Sequence, residues 1–348
     1  MAELNNNLDV SSVGSSKDKK NLPLQIADPN NNLAASDVSA TKDQQPQQVK
    51  QLPQQQPLRI LLWATPRSMS TTFLTAMSQL DGIEAWYEPY FTARKLGPER
   101  FAHTLASGYF AEKYTTLKES GHTFTTDMEG GYDTTLCTYD WVKNQLEDND
   151  LQGMQMVFVK EMIEGIIGRY DSIASGFTHS FLIRHPLKVF ASLRKMINTT
   201  PNKAKKMTEL PTTMIPSGYF YEDMWKLVQY LRQKGDVLGA PVIIDADDLQ
   251  RNPEGMMQEY CRSVKIPYSE VLLRWIPGED KMTQWMISDT LFQAFRVADL
   301  HKNTFTQSGF GPLTPIPDRA CLPDDVLCLA DASMPYYEML MRDRLIPT

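Results

Sequence analysis

The chain has 348 residues and a formal net charge of −7 at pH 7, from 35 lysines and arginines and 42 aspartates and glutamates. This charge disfavours a nucleic acid or a sulfated polysaccharide as the main partner, because their phosphates or sulfates would be repelled outside local basic patches. No run of about 20 apolar residues is present, and the start "MAELNNNLDV" lacks the basic and apolar parts of a secretory signal, so we expect a soluble, cytoplasmic protein without a membrane partner.

The first 57 residues differ in composition from the rest of the chain. They contain "NNN" twice and "QQPQQVKQLPQQQP", with much Asn, Gln and Ser. Such a segment cannot bury enough apolar surface to offset the entropy lost on ordering. The sequence therefore predicts a disordered tail over 1–57 and a single α/β domain over 58–348, long enough for a sizeable core.

The next segment, "RILLWATPRSMSTTFL", predicts an anion site. An apolar strand over 59–64 runs into a hydroxyl-rich turn, and a helix follows at about 70–80. The first N–H groups of a helix have no internal partners and carry the positive end of its dipole. The signature GxxxxGK[ST] is absent, which disfavours an ordinary ATPase or GTPase. The alternative is a plain strand-to-helix turn with a capping serine. The candidate residues of the turn are Arg67, Ser68, Met69, Ser70, Thr71 and Thr72.

Two further predicted strands end in ionisable residues. The strand over 83–87 leads to Glu88 in "WYEPY", and the strand over 155–160 ends at Lys160 in "MVFVKEMI". Glu88 could also cap a loop or pair with Arg94. Lys160 and the glutamate after it could instead end their strand in solvent.

A second phosphate cradle is predicted in "HSFLIRHPLKVFASLRKM". Here a strand over 179–184 ends in Arg184, and a helix over 186–197 carries Ser192. A guanidinium group can hold a phosphate through two parallel N–H bonds, and a hydroxyl two helical turns along can reach another oxygen. Alternatively, Arg184 forms a surface ion pair and Ser192 is a packing residue.

The remainder of the chain supplies scaffold. "PVIIDADDLQRNPEGMM" predicts a strand over 241–245, and we interpret its acidic cluster as turn chemistry with an ion pair to Arg251, not as a metal site. The tract 285–300 predicts an amphipathic helix, and 322–345 predicts a pair of short helices. The other predicted helices lie at about 98–116, 133–148, 165–175, 220–234 and 253–263.

The alternation of strands and helices predicts an α/β fold with one central parallel sheet and helices on both of its faces. Arg67, Glu88, Lys160 and Arg184 all stand at or just after predicted strand ends. Ligands bind at this edge of such sheets, so we expect the four residues to share one site.

Three segments resemble the sulfotransferase family, whose P-loop NTPase-like fold binds 3′-phosphoadenosine 5′-phosphosulfate (PAPS). "PRSMSTT" resembles the family loop "PKSGTT" or "PRSGTT", with Met69 in the glycine place. "RHPLKVFAS" resembles "RNPxDxxxS", and 241–268 resembles the strand, turn and helix that follow. The resemblance implies that the loop holds the 5′-phosphosulfate and that Arg184 and Ser192 hold the 3′-phosphate.

The same resemblance implies catalytic roles. The end of "MVFVKEM" is similar to the family's "KTH", in which the lysine touches the transferred group and the histidine is the base, but Met162 stands in the histidine position. In the branch that acts on protein tyrosines, a glutamate at a similar distance beyond the loop arginine is the base, and this implies that role for Glu88. In the family, a basic, glycine-containing loop near the end of the chain folds over the 3′-phosphate. The segment "LHKNTFTQSGFGP" resembles this loop, and Lys302 is its candidate phosphate-binding residue.

The sequence thus predicts a metal-independent sulfotransferase that moves the sulfuryl group of PAPS to a hydroxyl of a small-molecule alcohol, phenol or sterol. Glu88 is the predicted base, and Arg67 and Lys160 stabilise the transferred group. The sequence leaves open whether the protein forms a homodimer. One alternative is a kinase-like phosphotransferase with Asp245 or Asp127 holding a metal. Another is a non-catalytic nucleotide-binding scaffold.

Overall fold

A computed structural model of the chain describes residues 57–100, 131–148, 153–199, 201–235, 239–278, 280–297 and 302–347, of which the side chains at 201, 280, 281, 295–297, 302 and 303 are not described. The predicted tail lies outside these ranges, except for residue 57, and so does nearly all of the predicted helix at 98–116. Both stay predictions.

The described residues form one seven-stranded sheet with the order β3-β7-β2-β4-β1-β5-β6. Every pairing between its strands is parallel. This confirms the predicted parallel α/β sheet. The strands are β1 (Leu58–Ala64), β2 (Ile83–Tyr87), β3 (Gly131–Tyr132), β4 (Met156–Met162), β5 (Thr178–Ile183), β6 (Val242–Asp245) and β7 (Trp285–Ser288).

The helices connect these strands. Three of them begin with a proline at the first helical position, where its missing N–H is not needed: Pro89, Pro186 and Pro253. No helix in the described ranges is long and apolar enough to cross a bilayer. The helices are α1 (Ser70–Met77), α2 (Pro89–Lys95), α3 (Tyr139–Asp148), α4 (Pro186–Ile197), α5 (Tyr221–Lys234), α6 (Ala246–Arg251), α7 (Pro253–Ser263), α8 (Asp289–Val297), α9 (Lys302–Phe305) and α10 (Asp324–Arg342).

The sheet separates two apolar cores. Successive side chains of a strand point to opposite faces, so Leu61 and Trp63 lie in one core and Ile60 and Leu62 lie in the other. The first core packs against α2 to α5 and α10, and the second packs against α1 and α6 to α8. Helices therefore cover both faces, as predicted.

Three predicted helices are wrong in part. The 165–175 region contains only short 3₁₀ turns at Ile163–Gly165 and Tyr170–Ser172. The 285–300 tract begins as β7, because Trp285 is buried beside β2, where its ring stacks on Tyr87 with centroids 5.5 Å apart. The 322–345 tract is one helix that continues through Pro335, since apolar residues on both sides of the proline anchor it to the first core.

The predicted helix at 133–148 is also split. A 3₁₀ turn covers Thr134–Leu136, and α3 begins at Tyr139. The Asp133 side chain accepts a hydrogen bond from the Thr135 N–H at 2.8 Å. This local bond caps the 3₁₀ turn separately from the helix that follows.

One buried histidine couples the fold to pH. Trp63 Nε1 donates a hydrogen bond to Nδ1 of His179 at 3.1 Å, inside the first core. Burial lowers the pKa of His179 to about 4, because the apolar surroundings disfavour the charged ring. The folded protein therefore keeps this ring neutral at pH values where the unfolded chain protonates it.

The stabilisation from neutral His179 is fully present above the unfolded pKa of about 6.5 and is lost as the pH falls toward the folded value. From pH 7 to pH 5, we expect the wild-type protein to lose about 2 kcal/mol more unfolding free energy than His179→Asn, whose amide oxygen can still accept from Trp63. Urea denaturation at both pH values measures this difference. Equal losses in the two proteins would contradict it.

Candidate functional site

The predicted site residues come from four neighbouring strands. In the sheet order β2-β4-β1-β5, Glu88 follows β2, Lys160 lies in β4, Arg67 follows β1 and Arg184 follows β5. Because these strands are parallel, all four residues lie at the same edge of the sheet.

A crevice is expected between β1 and β5. After β1, the chain passes through α1 to β2, which lies toward one edge of the sheet. After β5, it passes through α4 to β6, which lies at the other edge. Helices α1 and α4 pack in opposite cores. Open α/β sheets bind ligands at such a reversal of connection direction. Arg67 and Arg184 stand on its two sides.

The two predicted phosphate cradles meet here. Arg67 Nε donates to Ser192 Oγ at 3.0 Å, and Arg184 Nη1 donates to the Arg67 carbonyl at 2.9 Å. Burial and the nearby Arg184 lower the pKa of Arg67, and burial also lowers the pKa of Arg184. Arg184 Nε is buried and has no hydrogen-bond partner among the described residues. Two adjacent guanidinium groups and an unmet donor favour a bound anion.

The loop backbone is held in an unusual conformation. Arg67 has φ 61° and Met69 has φ 73°, the left-handed region that favours glycine. Met69, which the resemblance aligns with the glycine of the family loop, therefore has a glycine-like backbone. Its side chain forms no cap on α1, whose first internal bond runs from the Phe73 N–H to the Met69 carbonyl at 3.0 Å. The N–H groups of residues 70–72 precede that bond and form the open end of the helix.

The loop hydroxyls have different partners. Ser68 Oγ donates to the Thr65 carbonyl at 2.7 Å, so it shapes the turn. Thr71 Oγ1 lies 3.4 Å from the hydroxyl of Tyr87. The side chains of Ser70 and Thr72 are buried at the start of α1. The hydroxyls of the turn therefore connect the loop to its own strand and to β2.

Glu88 and Lys160 form a buried ion pair. Glu88 is 6% exposed and Lys160 is 1% exposed. The interpretation that Lys160 and Glu161 end their strand in solvent is therefore wrong. Glu88 also has a left-handed backbone, with φ 52°, immediately before α2. A carboxylate and an ammonium group are thus held together one strand away from the loop.

Tyr87 is a site residue that sequence reasoning missed. The Lys160 ammonium lies over its ring at 4.5 Å, and its hydroxyl approaches Thr71. Burial and the adjacent Glu88 raise the pKa of Tyr87 well above its usual value. Tyr87 therefore links the anion loop to the Glu88–Lys160 pair. In the sequence it reads only as the last apolar residue of a strand.

Thr314 was also missed. Its hydroxyl accepts from Arg184 Nη2 at 3.1 Å, and its carbonyl accepts from Lys188. Lys188 also pairs with Asp247 at 2.7 Å. The sequence placed the covering loop at 300–312, but the contact with Arg184 comes two residues later. The side chain of Lys302 lies outside the described residues, so its role stays a prediction.

The acidic cluster after β6 has a structural role, as predicted. One oxygen of Asp245 accepts from the N–H groups of Asp247 and Asp248, and the other accepts from Tyr337 at 3.0 Å. Burial and Asp247 raise the pKa of Asp245 to about 6. Asp248 forms the predicted ion pair with Arg251. Asp127, the other acid considered for a metal, lies outside the described residues.

Comparison with known proteins agrees with the predicted resemblance. A model of the sulfotransferase domain family matches residues 232–344, which include β6, α6 and α7. This match confirms the sulfotransferase resemblance for the C-terminal third of the chain. It does not reach Arg67, Glu88, Lys160 or Arg184, whose roles stay predictions.

Two curated proteins of Arabidopsis thaliana are related to this chain. Branched-chain-amino-acid aminotransferase-like protein 2 is 25% identical over 244 residues, which is 70% of this chain, and protein 1 is 22% identical over 218 residues, which is 62%. The matched part is 35% and 32% of their own lengths. The chain thus spans about a third of these relatives.

Solved structures similar to this chain include sulfotransferase domains. The domain of the Synechococcus PCC 7002 olefin synthase is 15% identical, with a TM-score of 0.42 over 82% of this chain and 97% of that one. The domain of the curacin biosynthetic pathway is 15% identical, with a TM-score of 0.38 over 79% and 96%. Mouse sulfotransferase SULT7A1 complexed with PAP is 10% identical, with a TM-score of 0.30 over 82% and 84%.

The left-handed backbone of Met69 gives a stability test. A residue with a Cβ atom pays about 1–2 kcal/mol in this conformation, whereas glycine does not. We expect Met69→Gly to be more stable than Met69→Ala by about 1 kcal/mol, although glycine normally destabilises a chain relative to alanine. Thermal and urea unfolding of the two variants measure this difference. A more stable alanine variant would contradict the assigned conformation.

Proposed function

We propose that this chain is a sulfotransferase that moves the sulfuryl group of PAPS to a hydroxyl of a small-molecule acceptor. The observation that carries the proposal is the convergence of Arg67, Ser192 and Arg184 where the adjacent strands β1 and β5 end. The family match to a sulfotransferase domain supports the reaction class. A cytoplasmic location and the acceptor classes alcohol, phenol and sterol are parts of the same proposal.

The anionic groups of PAPS would be bound by the arginines and the loop N–H groups. Arg184 and Ser192 would bind the 3′-phosphate, because the guanidinium group has an unmet donor and the hydroxyl lies beside Arg67. The open N–H groups at the start of α1 would bind the 5′-phosphosulfate, with Arg67 beside them. The buried, adjacent guanidinium groups repel each other, and a doubly phosphorylated ligand would relieve that repulsion.

The chemistry would follow from the buried pair. An acceptor oxygen attacks the sulfur as the bond from sulfur to the bisphosphate oxygen breaks, and Glu88 takes the hydroxyl proton. Lys160, held next to Glu88, would face the negative oxygens of the sulfuryl group. Arg67 and the loop N–H groups would stabilise the departing adenosine 3′,5′-bisphosphate. Glu88 then releases its proton to solvent, and the product is a sulfate ester.

Titration calorimetry with adenosine 3′,5′-bisphosphate and with ATP tests the donor. We propose preference for the bisphosphate, followed by transfer of radiolabelled sulfate from PAPS to members of a panel of alcohols, phenols and sterols. Tighter binding of ATP would favour the phosphotransferase alternative. Bisphosphate binding without transfer to any panel member would favour the nucleotide-binding scaffold.

The cradle gives a direct mutational test. Arg184→Ala removes charge-assisted hydrogen bonds to the 3′-phosphate, each worth about 1.5–3 kcal/mol, so bisphosphate affinity should fall about 10- to 100-fold. Calorimetry measures the affinity. The control is Arg319→Ala, which removes an exposed guanidinium paired with Asp331 and should leave affinity unchanged. Unchanged affinity in Arg184→Ala would remove the cofactor assignment.

The base is tested by Glu88→Gln. Loss of a positioned general base should lower kcat about 10²- to 10⁴-fold while bisphosphate affinity is retained. The change also leaves Lys160 buried without its partner, which costs about 3–5 kcal/mol of stability. Rates are therefore compared at a temperature where circular dichroism shows a folded variant. A folded variant within a few fold of the wild-type kcat would rule out Glu88 as the base.

A further inference from the structure

We infer that Glu161 is a positioning residue for the reaction: its carboxylate holds the backbone turn that presents Glu88. The inference rests on the proposed function of Glu88. One interpretation of the sequence ends the strand in solvent at Glu161, but this residue is 0% exposed. A fully buried carboxylate beside a proposed catalytic pair needs a physical reason to be there.

The reason lies in its hydrogen bonds. Glu161 Oε2 accepts from the Tyr90 N–H at 2.6 Å, and Oε1 accepts from the Phe91 N–H at 3.1 Å. Oε1 also accepts from the N–H of Met162, its own neighbour, at 2.7 Å. Tyr90 and Phe91 are the second and third residues of α2, so Glu161 caps this helix from another strand. A carboxylate is favoured there by the open N–H groups and the helix dipole.

The capped turn is the one that carries Glu88. Glu88 immediately precedes α2, and its left-handed backbone is a strained conformation for a residue with a side chain. Its N–H donates to the Lys160 carbonyl at 2.8 Å, and its carbonyl accepts from the Thr92 N–H at 2.9 Å. Glu161 adds the bonds that fix Tyr90 and Phe91, which lie two and three residues after Glu88. Without them, the turn can relax and move the Glu88 carboxylate.

Two neighbouring residues of β4 hold different parts of Glu88 and its turn. Lys160 and Glu161 are consecutive in β4, so their side chains leave opposite faces of the sheet. Lys160 holds the Glu88 side chain on one face, and Glu161 holds the backbone around Glu88 on the other. Gly165 leaves room for this arrangement, because a Cβ atom there would lie 2.6 Å from the Phe91 nitrogen.

Burial and the charges of Glu88 and Lys160 affect the pKa of Glu161. Burial and the nearby Glu88 raise the pKa of Glu161 well above its usual value, while the Met162 and Tyr90 N–H bonds and Lys160 oppose this. The Glu88 carboxylate pairs with Lys160, whereas the Glu161 side chain is held by backbone N–H groups. Glutamine at position 161 keeps the shape of the side chain but replaces one acceptor oxygen by an NH₂ group, which cannot accept a backbone N–H bond. It therefore tests the cap with little change in packing.

A double-mutant cycle tests the inference. We expect Glu161→Gln to lower kcat about 10- to 100-fold, since a small misplacement of a catalytic group has effects of that size. Bisphosphate affinity should not change. In a Glu88→Gln background the same substitution should change kcat less than twofold, because a residue that acts through Glu88 has nothing left to position. Equal fold losses in both backgrounds would overturn the inference.

The matched control is Asp325→Asn. Asp325 is also buried and accepts two backbone N–H bonds, from Met207 at 2.7 Å and Val326 at 3.1 Å, but it lies on α10. It should lose stability without a selective loss of kcat. A kcat loss in this control as large as that of Glu161→Gln would indicate general destabilisation and overturn the inference.

Hydrogen exchange separates this inference from the proposed function. If the wild-type protein binds the bisphosphate but transfers no sulfate, the function fails while the cap remains testable. Glu161→Gln should then speed exchange in the peptide 86–95 at least tenfold, and Asp325→Asn should not. Unchanged exchange in Glu161→Gln would overturn the inference whether or not transfer is found.

Discussion

The candidate site depends on two guanidinium groups held side by side at the end of a parallel sheet. Arg67 and Arg184 arise from adjacent strands and are joined through a backbone carbonyl, with Ser192 as a third member. Burial and the adjacent Arg184 lower the pKa of Arg67, so holding the two like charges together costs stability unless the arrangement serves a ligand. Asp247 and Asp245 act on Arg184 through their charge, but their hydrogen bonds go to Lys188 and Tyr337.

The other half of the site has the opposite balance. Lys160 pairs with Glu88, Glu161 binds the backbone of the adjacent turn, and all three residues are buried. Tyr87 lies between this acidic half and the basic loop, with contacts to Thr71 and Lys160. A ligand that spans the two halves would place anionic groups over the arginines and a neutral hydroxyl near the carboxylates. That polarity suits transfer from a phosphorylated donor to an uncharged acceptor.

Much of the fold could be predicted because its signals are local. Residues 60–64 form a continuous apolar run, as buried parallel strands do, and Pro186 marks the start of its helix. The contacts between elements were not local. Nothing in the sequence pairs Arg67 with Ser192, which lie 125 positions apart, or places Glu161 on the N–H groups of a helix that begins 72 residues earlier. The strand β7 was missed because an apolar run beside a helix reads as part of that helix.

The positions of backbone strain tie these observations together. Arg67, Met69 and Glu88 all have left-handed backbones, although each has a side chain that disfavours that conformation. All three follow strands of the central sheet directly or within five residues, where buried strands and capped helices fix the chain on both sides. Strain of this kind persists only where surrounding structure imposes it, and it gathers at sites that bind or react. The left-handed residues thus lie in the two turns that carry the arginine loop and the proposed base.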